Sequence, residues 1–139
     1  MKPPIPNSYW VEPGRLLAGE HPAGKDLAAT RRRIAALLDA GVRSFIDLTE
    51  TGEMESYKSL LPAGIGYESF GLRDHSVPAS AQKMRDVLAA LWRDLSTRPG
   101  VYLHCRAGIG RTGMAVGCYL RELGEPGDAA LAELNRLWQ

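Results

Sequence analysis

The stretch Val101-Tyr102-Leu103-His104-Cys105-Arg106-Ala107-Gly108-Ile109-Gly110-Arg111-Thr112-Gly113 carries most of the information in this chain. Its first four residues are apolar or aromatic and read as a short strand, entered through Pro99-Gly100. Gly108 and Gly110 let the following backbone turn tightly and bring N–H groups close to a ligand. Apolar residues then continue to Leu123, predicting a helix from about Arg111, stopped by Gly124-Glu125-Pro126-Gly127. A helix start offers unpaired N–H donors and the positive end of a dipole, which makes an anion site. Arg111 stands at that start and can give two parallel hydrogen bonds to a phosphate. Cys105 lies in the same ring of donors, and a field that holds a phosphate also stabilises a thiolate. Nucleophile and anion cradle coincide, which suits phosphoryl transfer from oxygen to sulfur.

Upstream, apolar runs and turn residues alternate. Met1 to Asn7 holds three prolines and reads as an extended arm. Tyr9-Trp10-Val11 and Arg15 to Ala18 flank Pro13-Gly14 and predict two strands joined by a turn. Leu27, Ile34, Leu37 and Leu38 follow helical spacing, with Gly41 at the position that ends such a helix. Val42 to Leu48 and Ile65 to Phe70 predict strands. Ser80 is a candidate N-cap for a helix whose stripe is Met84, Val87, Leu88, Leu91, Trp92 and Leu95. Leu131, Leu134, Leu137 and Trp138 outline a last amphipathic helix. Strands alternating with helices predict an α/β fold, one central and mostly parallel sheet flanked by helices. Ligands of such sheets sit beyond the carboxyl ends of the strands, where the Val101–His104 strand delivers its loop.

The chain has 139 residues, which at roughly 150 residues per domain predicts one domain over 1–139. It is 45% hydrophobic and 24% charged, with a formal charge of +1. That excludes a disordered tail or collagen-like chain and disfavours nucleic-acid binding by bulk charge. Two cysteines, Cys105 and Cys118, are too few for a disulfide framework. The longest apolar run, Met114 to Leu120, is too short to span a bilayer, and no signal-peptide pattern follows Met1. The expectation is a cytoplasmic protein in which a cysteine serves as a thiol.

Two other readings of the central stretch compete. Gly108-Ile109-Gly110-Arg111-Thr112-Gly113 is literally G-x-G-x-x-G after a strand, the dinucleotide fingerprint. Yet the 26 residues after Gly113 read as helix plus helix, with no second strand to carry a ribose-binding acid. A purely structural turn leaves Cys105 and Arg111 unexplained.

Cysteine, five residues, arginine, then threonine resembles the active-site signature of the cysteine-dependent protein tyrosine phosphatases, and the string from His104 to Gly113 matches in full. The likeness is nearest to the small, atypical dual-specificity branch and extends over most of the chain. It implies that Cys105 attacks phosphorus and forms a phosphocysteine. Arg111 and the loop residues Arg106, Ala107, Gly108, Ile109 and Gly110 hold the phosphate oxygens. Asp74, 31 positions before Cys105, is implied as the acid that protonates the leaving oxygen and then activates water. It stands after Leu72-Arg73, where tyrosine-specific members carry Trp-Pro. Asp47 and Glu50 are the alternatives for that acid. Thr112 is implied as a hydrogen-bond donor to the departing sulfur, and His104 as a support of the loop. No metal or cofactor is implied.

The implied substrates are phosphotyrosine and phosphoserine or phosphothreonine of proteins. Tyrosine-specific relatives are longer and deepen their cleft with an extra loop. Lipid phosphatases of similar sequence carry lysines where Arg106 and Ile109 stand. A phosphoinositide or RNA 5′-phosphate substrate, and a non-catalytic phosphate-recognition module, are the rival functions. Relatives usually continue for one more helix after the position of Trp138-Gln139. His21 and His75 have no partner at metal-ligand spacing and read as surface or loop histidines. Cys118, on the following helix, lies roughly 10 Å or more up the axis from Cys105 and reads as a buried small apolar residue. Tyr57 and Trp10 read as core aromatics rather than walls of the cleft.

Overall fold

The computed structural model describes residues 1–72 and 81–124. In chain order it contains β1 (Ser8–Glu12), β2 (Leu16–Gly19), α1 (Leu27–Asp39), β3 (Ser44–Asp47), β4 (Gly66–Ser69), α2 (Ala81–Thr97), β5 (Val101–His104) and α3 (Gly110–Glu122), with one 3-10 turn at Lys58–Leu60. Each element falls within a few residues of its predicted place. The 3-10 turn has no counterpart in the sequence reading. Ser80, His75, Asp74 and the helix expected from Leu131 lie outside the described residues.

The five strands run in the order β1-β2-β5-β3-β4. β1 pairs antiparallel with β2, and every other pairing is parallel, as expected for a mostly parallel sheet. β5 is therefore central. All four of its residues are buried, which fits a run of Val, Tyr, Leu and His with no polar alternation. The chain reaches it last, after passing over its place on the way from β2 to β3. This is the point where the strand order reverses, and such a point leaves a crevice at the carboxyl ends.

Side-chain alternation sorts the core into two layers. Leu16, Ala18, Ile46, Leu48, Val101 and Leu103 face Met84, Val87, Leu88 and Leu91 of α2 and Ala115, Val116 and Tyr119 of α3. Leu17, Phe45 and Tyr102 face Ile34 and Leu37 of α1, and Trp10 and Tyr57 complete that layer. Both aromatics lie in the core, as read. Asp26 caps α1, accepting from the Ala29 N–H at 2.8 Å. Gly100, at φ +105°, lets β5 begin: a Cβ there would lie 2.2 Å from the Gly41 carbonyl oxygen. Among the described residues no helix is long and apolar enough to cross a membrane.

The parallel register aligns the strand ends. Gly19 pairs with His104, His104 with Asp47, and Asp47 with Ser69. Four strands thus stop at one level, and their following segments meet at one edge. Backbone bonds extend the ladder slightly further: the Leu48 N–H donates to the His104 carbonyl at 2.8 Å, and the Leu72 N–H to the Leu48 carbonyl at 3.0 Å.

Candidate active site

Cys105 is the first residue beyond β5 and is buried. Its Sγ accepts the Gly108 N–H at 3.3 Å, so the loop already bends around the sulfur. Gly108 makes that bend at φ +80°, and a Cβ on it would lie 2.5 Å from the Gly19 carbonyl carbon and 2.7 Å from the Glu20 nitrogen. Only glycine fits there. The loop runs into α3, whose N-cap residue, Ile109, offers no side-chain hydrogen bond. The first intrahelical bond is from the Gly113 N–H to the Ile109 carbonyl. The first-turn donors of α3 are thus left without a capping side chain, the condition under which a helix start takes an anion.

Arg111 occupies the first turn of α3 and is buried. Its guanidinium is gripped by Glu53, with Nη1 donating to Oε1 at 2.7 Å and Nη2 to Oε2 at 2.6 Å. Nη1 also donates to the Leu72 carbonyl at 3.0 Å. The bond from Arg111 pushes the Glu53 carboxyl down to about 2. Sequence reasoning missed Glu53. Of its two runners-up for an acid near this strand end, Glu50 is exposed and gives its backbone N–H to Glu53 Oε1 at 3.0 Å.

Asp47, the other, is buried beneath the loop. Its Oδ1 accepts from the Thr49 N–H and hydroxyl at 2.9 and 2.6 Å, and its Oδ2 from the Tyr67 hydroxyl at 2.8 Å. Burial works to raise its pKa, but His104 and the bonds from Thr49 and Tyr67 outweigh burial and hold it below the ordinary value. A carboxylate so held is a poor proton donor near neutral pH.

His104 is fully buried. Nδ1 lies 3.3 Å from the Cys105 carbonyl, which can only accept, so the proton sits on Nδ1. Nε2 then accepts the Tyr57 hydroxyl at 2.5 Å. Burial lowers the His104 pKa against the pull of Asp47, keeping the ring neutral. The ring thereby ties the backbone of Cys105 to Tyr57. Thr112 is fully buried, and its hydroxyl has no hydrogen-bond partner among the described residues. Arg106, Ala107, Ile109 and Gly110 are exposed, with Ile109 58% exposed at the rim.

Two expectations need correction. His21 lies in a loop, one of its two expected settings, but not at the surface. It is 3% exposed, edge-on to His104 at 5.1 Å and to Tyr57 at 5.2 Å. Its burial comes from the fit of the β2–α1 segment against the loop, which local pattern does not encode. Cys118 is half-buried, at the margin of the α2–α3 core rather than inside it. Both cysteines are free. Asp74 falls outside the described residues. Among those residues no group of three His, Cys, Asp or Glu side chains could hold a metal ion.

Comparison with known proteins finds relatives named as phosphatases. The chain is 33% identical over 127 residues to protein tyrosine phosphatase domain-containing protein 1 of Mus musculus, covering 81% of this chain and 16% of that protein. It is 30% identical over 120 residues to the dual specificity protein phosphatase CDC14AB of Danio rerio, covering 80% and 18%. It thus spans less than a fifth of the length of either relative. The P. aeruginosa TpbA structure in complex with pTyr shares the fold, with a TM-score of 0.75 at 21% identity, covering 97% of this chain and 75% of that one. A family model described as polymorphic toxin system, DSP-PTPase phosphatase, matches residues 19–125. That span begins at the last residue of β2, takes in the strand, loop and helix around Cys105, and shows that the chain belongs to this DSP-PTPase phosphatase family.

Proposed function

We propose that the chain is a cysteine-dependent phosphatase that hydrolyses phosphotyrosine and phosphoserine or phosphothreonine of proteins. One observation carries this reading. Cys105 Sγ, the bent loop, the uncapped start of α3 and the gripped Arg111 converge at the carboxyl edge of the central strand. The Cys105 thiolate attacks phosphorus in line, forming a P–S bond as the P–O bond to the leaving group breaks. Arg111 and the N–H groups of residues 106–111 hold the equatorial oxygens and balance their charge. Asp74 gives its proton to the leaving oxygen. Water then attacks the phosphocysteine, losing a proton to Asp74, and the Thr112 hydroxyl donates to the departing sulfur. His104 acts on this chemistry only by positioning the loop.

The rim supports phosphoprotein ahead of phosphoinositide. Among the described residues one basic side chain, Arg106, and one exposed apolar side chain, Ile109, flank the cradle, a weak match to a headgroup bearing several phosphates.

The test is hydrolysis of a small aryl phosphate in EDTA. Cys105→Ser is expected to lower kcat by at least about 10³-fold. Asp74→Asn should lower it by about 10²-fold, most for poor leaving groups. Binding of phosphate without turnover would replace the enzyme with a recognition module. Turnover that survives Cys105→Ser would remove the cysteine mechanism.

A further inference from the structure

Between β2 and α1 the chain runs Glu20-His21-Pro22-Ala23-Gly24, and this strap lies against the outside of the Cys105 loop. The His21 N–H donates to the Arg106 carbonyl at 3.1 Å. No described peptide bond is cis. In a trans peptide the N–H points opposite to the C=O. Tying the Arg106 carbonyl to the strap therefore turns the Ala107 N–H away from the strap. Rotation of the same peptide would put a carbonyl where that donor now points. A phosphate would then meet an acceptor in place of a donor.

The strap is fixed from several sides. The Tyr102 hydroxyl donates to the Glu20 carbonyl. From α1, Arg33 Nε donates to the Pro22 carbonyl at 2.9 Å, and its Nη2 to Glu20 Oε1 at 2.6 Å. The His21 ring does two things at once. Nδ1 accepts the Ala23 N–H at 3.1 Å, closing a turn of the kind an asparagine side chain makes. The ring edge fills the space against His104 and Tyr57. Burial lowers the His21 pKa against the pull of Asp47 and Glu53, so Nδ1 remains an acceptor.

We propose that His21 is a positioning residue of the phosphate cradle: the turn closed by its Nδ1 presents its own N–H to the Arg106 carbonyl and so locks the Ala107 N–H in the donor orientation. The inference rests on the reading of the Cys105–Arg111 loop as that cradle. It adds a residue outside the signature, one that touches neither the nucleophile nor the phosphate.

The experiment compares wild type, His21→Phe and His21→Asn for vanadate inhibition, kcat and KM with an aryl phosphate, and melting temperature. Phe keeps a ring in the space but cannot accept from Ala23, whereas the Asn oxygen can take that role. Loss of one cradle donor should raise the vanadate Ki and lower kcat/KM in His21→Phe by about tenfold, with both restored to within about threefold in His21→Asn. A merely structural role would lower the melting temperature without separating the two variants in vanadate affinity. Vanadate inhibition of His21→Phe equal to wild type, or equal losses in both variants, would overturn the proposal. Should His21→Phe fail to fold, the amide hydrogen exchange of His21 in wild type decides: slow exchange supports the strap bond, and exchange at the rate of an open loop overturns it. Turnover that persists in Cys105→Ser would sink the cradle reading and this inference together. Loss of turnover in Cys105→Ser with no effect at His21 would sink this inference alone.

Discussion

Replacing Glu53 by glutamine keeps the shape of the side chain that grips Arg111 and removes its charge. In the wild-type protein two hydrogen bonds, at 2.7 and 2.6 Å, join the carboxylate to the guanidinium and push the carboxyl down to about 2. Against an unfolded value near 4.3, that depression corresponds to about 3 kcal/mol at neutral pH. The Glu53 side chain is 15% exposed at the edge of the site, and screening by water there reduces the figure to about 1.5 kcal/mol. For a chain of this size, about 3–4 °C of melting temperature accompanies each kcal/mol, so Glu53→Gln should melt about 5 °C lower at pH 7. The folded pKa lies below the unfolded one. The stabilisation is therefore complete above about pH 5 and is lost as pH falls toward 2, leaving about half at pH 3. The gap between wild type and Glu53→Gln, read by calorimetry from pH 7 to pH 3, should narrow accordingly. Arg111 without its ionic partner should also lower kcat/KM for an aryl phosphate by about tenfold, through lost orientation. A gap in melting temperature that stays constant across this range, or no gap, would refute the assignment of the Glu53–Arg111 pair as the source of the shift.

Two further substitutions probe the support of the loop. Tyr57→Phe leaves His104 Nε2 buried without its partner and should lower unfolding stability by about 1–3 kcal/mol in urea titration; unchanged stability would mean that the Tyr57 hydroxyl does not hold His104. Gly108→Ala forces a Cβ into the backbone of Gly19 and Glu20 at a positive φ. It should remove at least about 2 kcal/mol of stability and most vanadate binding, measured together by thermal shift; wild-type vanadate binding would mean that the loop does not need this bend.

The elements were legible because most of them announce themselves locally. The stripe from Met84 to Leu95 and the block Val101–His104 are tertiary facts written as period and composition, and both appear where expected. The signature from His104 to Gly113 placed the loop, and the strand–loop–helix context is what separates it from a dinucleotide fingerprint. What escaped was what depends on chain segments meeting. Glu53 sits in a turn after β3, among Glu50 and Glu55, and nothing in that run marks which carboxylate reaches Arg111. The signal that could have found it is a buried cation needing a partner from an adjacent strand end. His21 escaped for a similar reason. A lone histidine between Glu20 and Pro22 looks solvated until β2 and β5 are placed side by side. Asp74 rests on sequence alone.

The common level at which β2, β5, β3 and β4 end has a consequence for redesign. Gly19, His104, Asp47 and Ser69 form one rung, and the segments leaving it rise from a fixed platform, held to one another by bonds such as those of His21 to Arg106 and of Arg111 to Glu53. A segment that keeps those bonds can change in length or charge elsewhere without moving the rung, because each is anchored by a strand whose register its neighbours set. An insertion inside a strand has no such freedom. One added residue in β5 would turn His104 and Cys105 each to the face opposite the one it now occupies and dismantle the site while leaving the sequence signature intact.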